Sequence, residues 1–123
     1  MTIDVLGVGL ELPYDLTAAD DAEKWEQDLA RLNQTLREIE ERGNLLQSQV
    51  IREQIVAMEK WLDGVFGPGS GAKVFDGREN LKTAHIVLKL MTILHAVYVP
   101  KLLNDAWNDA MKRYGPARAQ RKA

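Results

Sequence analysis

The residues that could do chemistry in this chain are scattered. Gly67, Gly69 and Gly71, followed by Lys73, have the outline of a phosphate cradle. A phosphate-binding loop comes after a strand and ends in Gly-Lys-Ser/Thr, because the lysine meets the phosphates and the hydroxyl meets magnesium. Here the corresponding triplet is Ala72-Lys73-Val74 and the preceding residues read as a helix, so the run is expected to be a turn between helices. His85 and His95 lie about three turns apart on a helix and about 80° around it, at roughly 100° per residue. They cannot share a metal within one chain and read as surface or core-edge histidines. The carboxylates Asp20, Asp21, Glu23, Glu26, Asp28, Glu38, Glu40 and Glu41 crowd one helix. An acid–base pair needs a cleft that separates two pKa values. Nothing in the sequence supplies one, and these acids are expected to form a solvated face. No serine has a histidine-based triad pattern around it. The chain is therefore not expected to be an enzyme, and no catalytic residue, cofactor or metal ligand is assigned.

Composition agrees with a small folded domain. The chain has 123 residues, 46% hydrophobic and 28% charged, with a net charge of −2. These are ordinary values for a soluble globular protein, and they exert no global pull toward nucleic acid or anionic membrane. The absence of cysteine excludes disulfides and thiolate zinc sites and fits a reducing cytoplasm. Met1-Thr2-Ile3-Asp4 has neither the basic nor the apolar region of a signal peptide. The longest apolar stretch, Ile86 to Val99, is broken by Lys89, Thr92 and His95 and reads as too short and too polar to span a bilayer. The basic residues Lys112, Arg113, Arg118, Arg121 and Lys122 have one aromatic neighbour, Tyr114, and so lack a stacking platform for nucleic acid. A solubilising tail or docking arm is expected there.

The elements that must carry these residues emerge from periodicity. Residues 2–14 alternate as a β-hairpin, with Gly7 and Gly9 around the reversal. An isolated hairpin is marginal in water, so it must pack on helices or extend a sheet in another subunit. A first helix is expected over 18–42, opened by Thr17 and Asp20 and drawing a narrow seam of Trp25, Leu29, Leu32, Leu36 and Ile39. A second, capped by Asn44, is expected to run antiparallel to it and to end at Gly67-Pro68. Residues 67–79 read as a loop that Val74 and Phe75 pin to the core, with Asp76 or Asn80 capping the third helix. That helix, over 81–98, is apolar on most sides; Pro100 kinks or ends it, and a fourth runs from Leu102 to Tyr114. The fold class is thus mainly α: a bundle of about four helices with an N-terminal hairpin, one domain over 1–114, and a basic flexible tail over 115–123.

Three stretches resemble a family of short proteins from phages and prophages of Gram-positive hosts. The first is Gly7-Val8-Gly9-Leu10-Glu11-Leu12 running into the acidic helix start at Asp20-Asp21-Ala22-Glu23-Lys24. The second, Val65-Phe66-Gly67-Pro68-Gly69-Ser70-Gly71-Ala72-Lys73-Val74-Phe75-Asp76-Gly77-Arg78-Glu79-Asn80-Leu81, is similar to that family's helix end, Phe-Gly-x-Gly, small residues, a second Phe, Gly, and Asn-Leu opening the next helix. The third is the tail Tyr114-Gly115-Pro116-Ala117-Arg118-Ala119-Gln120-Arg121. The chain departs from the pattern by an extra loop glycine, by Ala117, and by Val99-Pro100 in a region the family keeps helical. The resemblance implies a gene beside phage tail-morphogenesis genes and a tail assembly chaperone. Such a protein coats the apolar helices of the tape-measure protein until tail-tube subunits replace it, working in the host cytoplasm. It carries no catalytic residue over to this chain.

Trp25, Trp61 and Trp107 lie on the helical faces and read first as core. Four helices with strong apolar faces, plus a dependent hairpin, nevertheless offer more apolar surface than one short bundle covers. Burial by self-association or by a client is expected, with Leu90, Ile93, Val97, Leu103 and Trp107 as the partner-binding residues. Two rival readings stand beside the chaperone. One is a structural virion component, a head–tail connector or tail-terminator subunit closing a ring through the hairpin edge. The other is a nucleic-acid-binding regulator using the basic tail.

Overall fold

A computed structural model of the chain describes residues 1–114, and the tail expected over 115–123 lies outside the described residues. The alternation at the N-terminus produces β1 (Thr2–Val5) and β2 (Val8–Glu11), paired antiparallel with Val5 opposite Val8 and Ile3 opposite Leu10. The two-residue reversal is Leu6-Gly7, both at positive φ, and Gly9 sits inside β2 opposite Asp4. Ile3, Val5 and Leu10 all face inward and are buried, so the hairpin spends its apolar side within its own chain. It packs against the short helix α3 (Ser70–Phe75).

Two long helices form the frame. In α1 (Ala19–Glu41) the buried set is Trp25, Asp28, Leu32, Leu36 and Ile39, and in α2 (Gln47–Phe66) it is Gln54, Ile55, Met58 and Leu62. They run antiparallel, as the cross-helix contacts show. Trp61 Nε1 donates to the Asp28 carbonyl at 2.8 Å, while Gln54 Nε2 donates to Glu40 Oε1 at 3.0 Å and Arg42 pairs with Glu53 at the other end. Thr17 and Asn44 do not cap these helices. Asp15 takes the Thr17 N–H at 3.0 Å, and α2 opens on Leu46, whose N–H reaches Gln49 Oε1 at 2.8 Å.

The glycine run is not a bare loop. It holds α3, with Val74 and Phe75 buried as expected. Gly67 and Gly69 supply positive φ, but Gly71 is needed for a different reason. A Cβ there would lie 2.5 Å from the Cα and the carbonyl oxygen of Glu59 on α2, so only glycine lets the two helices approach this closely. Asp63 Oδ1 accepts the Gly71 N–H at 2.8 Å, and the Arg78 guanidinium donates to the Val74 and Phe75 carbonyls at 2.8 and 2.9 Å.

The last two expected helices are one. α4 runs unbroken from Leu81 to Arg113 with Pro100 inside it, and Asn80 Oδ1 caps its start by accepting the Thr83 N–H at 2.8 Å. Proline removes one hydrogen bond and crowds the carbonyl four residues back, at a cost of about 3 kcal/mol. That carbonyl belongs to Ala96, and both Ala96 and Pro100 are exposed residues. Among the described residues the fold is mainly α, with four helices following a two-stranded hairpin in the chain. The count matches the expectation, but α3 has been gained inside the loop and the last two helices have merged. The described residues divide into two compact units, one over Met1–Thr92 and a second that begins at Ile93.

Candidate functional site

In the first unit a groove of about 760 Å³ runs along the α1–α2 seam. Leu32, Ile39, Ala57, Trp61 and Val65 supply its apolar surfaces, and Arg31, Arg42, Arg52, Glu53 and Lys60 its rim. Behind it Trp25, Trp61 and Phe66 pack as an aromatic triangle with centroids 5.7 to 6.3 Å apart. Its polar end is built on Asp28, which is buried and so does not belong to the solvated acidic face expected for the carboxylates of this helix. The Tyr14 hydroxyl donates to Asp28 Oδ2 at 2.6 Å, and Arg31 pairs with Oδ1 from the next turn of α1. Both carboxylate oxygens are therefore engaged, which is why the side chain can occupy a position on the apolar seam. The bond to Asp28 also holds the Tyr14 hydroxyl above its ordinary pKa, with burial and the nearby negative charge adding to the rise. This cluster ties the 12–18 segment to α1. Periodicity alone hides it, since Asp28 comes three residues after Trp25 and four before Leu32, which is a seam position for any residue type.

The second unit presents a different surface. Of the five residues expected to bind a partner, Leu90 falls in the first unit and is half-buried, while Ile93, Val97, Leu103 and Trp107 are all exposed. At about 100° per residue these four occupy roughly 120° of the helix circumference, one continuous face. Trp107 is 64% exposed and Leu103 55%, so the reading of the three tryptophans as core holds for Trp25, holds partly for half-buried Trp61, and fails for Trp107. Trp107 keeps helical spacing like the others. What it lacks, among the described residues, is a facing element. Among the described residues of this unit, Lys101, Asp105, Asp109 and Lys112 lie on the opposite side of the helix, where Arg113 pairs with Asp109 at 3.5 Å.

Other candidates are not brought together. His85 and His95 are both exposed, Lys73 is exposed beside α3, and no cluster of three or more metal-ligating side chains occurs among the described residues. The merged α4 changes one premise, because at 33 residues it is long and apolar enough, by length and composition alone, to cross a membrane. Its first third is committed elsewhere, with Val87 and Met91 buried in the first unit.

Fold and surface together define a class: a small, mainly α-helical protein that begins with a hairpin and, among the described residues, exposes an apolar helix face. The chain belongs to DUF6673, a family of unknown function, which it matches over residues 8–123. No curated protein and no solved structure matches it.

Proposed function

We propose that this protein is a phage tail-morphogenesis factor, a tail assembly chaperone that holds helical segments of the tape-measure protein or of tail-tube subunits in the host cytoplasm. The observation that carries the protein-binding part is the exposed face of Ile93, Val97, Leu103 and Trp107 on α4. Large side chains in this density on one helix face are what a helical client needs, since its own apolar ridge can pack into them. The phage context comes from the motif resemblance at Gly7–Leu12, Val65–Leu81 and Tyr114–Arg121. Binding uses no cofactor, metal, membrane or nucleic acid, and the chain works as a homo-oligomer when the client is absent.

Co-expression with the tape-measure protein tests this. The wild-type chain should bring it into a soluble complex, and Ile93→Asp and Trp107→Ala should each reduce recovery at least tenfold. If both variants recover the client as well as wild type, the surface assignment is wrong. Mass spectrometry of purified virions separates the chaperone from a head–tail connector or tail terminator, because a chaperone is absent from mature particles.

A further inference from the structure

The exposed face of α4 has a finer pattern than general apolarity. Ile93, Pro100 and Trp107 recur every seven residues, and Ala96, Leu103 and Ala110 recur every seven residues, three places later. All six are exposed. This is the a and d spacing of a coiled-coil seam. Its sizes are uneven in an orderly way. Two large a residues, Ile93 and Trp107, stand in a sequence whose d positions are alanine at both ends.

We infer that two copies of this chain pair antiparallel along 93–110 of α4. In an antiparallel pair each a residue faces a d residue of the other copy. Setting Pro100 against Leu103 puts Trp107 against Ala96 and Ile93 against Ala110, so every layer joins a large side chain to a smaller one. A parallel pair would stack Trp107 on its own copy and Ala96 on its own copy, giving one overfilled layer and one empty one. The charged residues Asp105, Asp109 and Lys112 sit on the far side of the helix and stay in water. The exposed parts of these side chains and their flanking neighbours amount to on the order of 600 Å² per copy, of which Trp107, 64% exposed, supplies roughly 100–160 Å² of the 150–250 Å² a fully buried aromatic covers. Two copies then bury about 1,200 Å², the lower bound for a stable specific interface. A twofold pair of this kind is closed, so it stops at two chains. The inference rests on the reading of α4 as a protein-binding face, and it names the occupant when no client is present. A client must displace the second copy.

The chain has no cysteine, which makes the test clean. Ile93→Cys and Ala110→Cys are made separately, their folds checked by circular dichroism, and each is treated with a short bismaleimide alone and as an equal mixture. The mixture should cross-link and neither variant alone should, because like positions in an antiparallel pair are about 25 Å apart at their ends. Light scattering of the wild-type chain should give the mass of two copies. Cross-linking of Ile93→Cys alone would overturn the antiparallel register. A one-chain mass with no cross-linking would overturn the pairing while leaving client capture untouched. Conversely, loss of client capture in the tape-measure experiment leaves the cross-linking result standing.

Discussion

Gly71→Ala is the sharpest perturbation of the frame. In an ordinary helix this change stabilises by up to about 1 kcal/mol, because glycine is the poorer helix former. Here the added methyl would sit 2.5 Å from both the Cα and the carbonyl oxygen of Glu59, and backbone cannot swing aside as a side-chain tip can. Overpacking of this kind costs about 1–3 kcal/mol. Any shift of α3 that relieves it also stretches the 2.8 Å bond from Gly71 N–H to Asp63 and loosens Val74 and Phe75. A hydrogen bond to a charged acceptor is worth about 1.5–3 kcal/mol. Subtracting the propensity gain leaves a net loss of about 1.5–5 kcal/mol, roughly 5–20 °C in Tm for a domain of this size. Gly64→Ala is the matched control. Gly64 lies in α2 with nothing within 4 Å of the new Cβ, so it should gain about 0.5–1 kcal/mol. Urea denaturation monitored by circular dichroism measures both. If Gly71→Ala is as stable as wild type, the close approach of α3 to α2 is not what this glycine provides.

The packing sets three further outcomes. Trp25→Ala should cost about 3–5 kcal/mol, since the ring is buried at 2% exposure, whereas Trp107→Ala in dilute solution should stay within about 0.5 kcal/mol. Tyr14→Phe should cost about 1 kcal/mol at neutral pH by leaving Asp28 one donor short, as chemical denaturation would show. The folded-state pKa of Tyr14 is raised, so the bond's contribution is fully present below the unfolded value of about 10 and is lost as pH rises through the folded value. The gap between wild type and Tyr14→Phe should therefore be flat from about pH 6 to 9 and shrink above about pH 10. ATP with magnesium should leave Tm unchanged, because the glycine run is filled by α3. A saturable rise in Tm would restore the phosphate-cradle reading.

Much of this fold is legible in the residues. The period-two alternation of Ile3, Val5 and Leu10 and the 4-3-4-3 seam from Trp25 to Ile39 require only local geometry, and both elements form where the spacing puts them. The readings that fail are those where tertiary packing decides. Six residues of α3 hide in a run of glycines because Gly71 serves a contact with Glu59, twelve positions upstream, and not a turn. Pro100 reads as a helix stop because its cost is local and visible, while the helix-forming residues on both sides that outweigh it act together. Asp28 reads as one more surface acid because Tyr14, which helps Arg31 satisfy it, comes from a separate part of the sequence. The apolar face of α4 was legible as a surplus. Its division into buried Val87 and Met91 in one unit and exposed Leu103 and Trp107 in the other was not, because spacing alone does not say which stretch of a long helix has a neighbour.

The claim that α4 carries a protein-binding face is tested most directly by oxidative footprinting, with and without the tape-measure protein, of the chain diluted until light scattering gives the mass of one copy. Trp107 and Met111 are exposed and readily oxidised, while Trp25 is buried in both states and serves as the internal reference. Trp107 and Met111 should become at least fivefold less reactive in the complex while Trp25 does not change. Equal reactivity of Trp107 and Met111 in the free and complexed chain would contradict it.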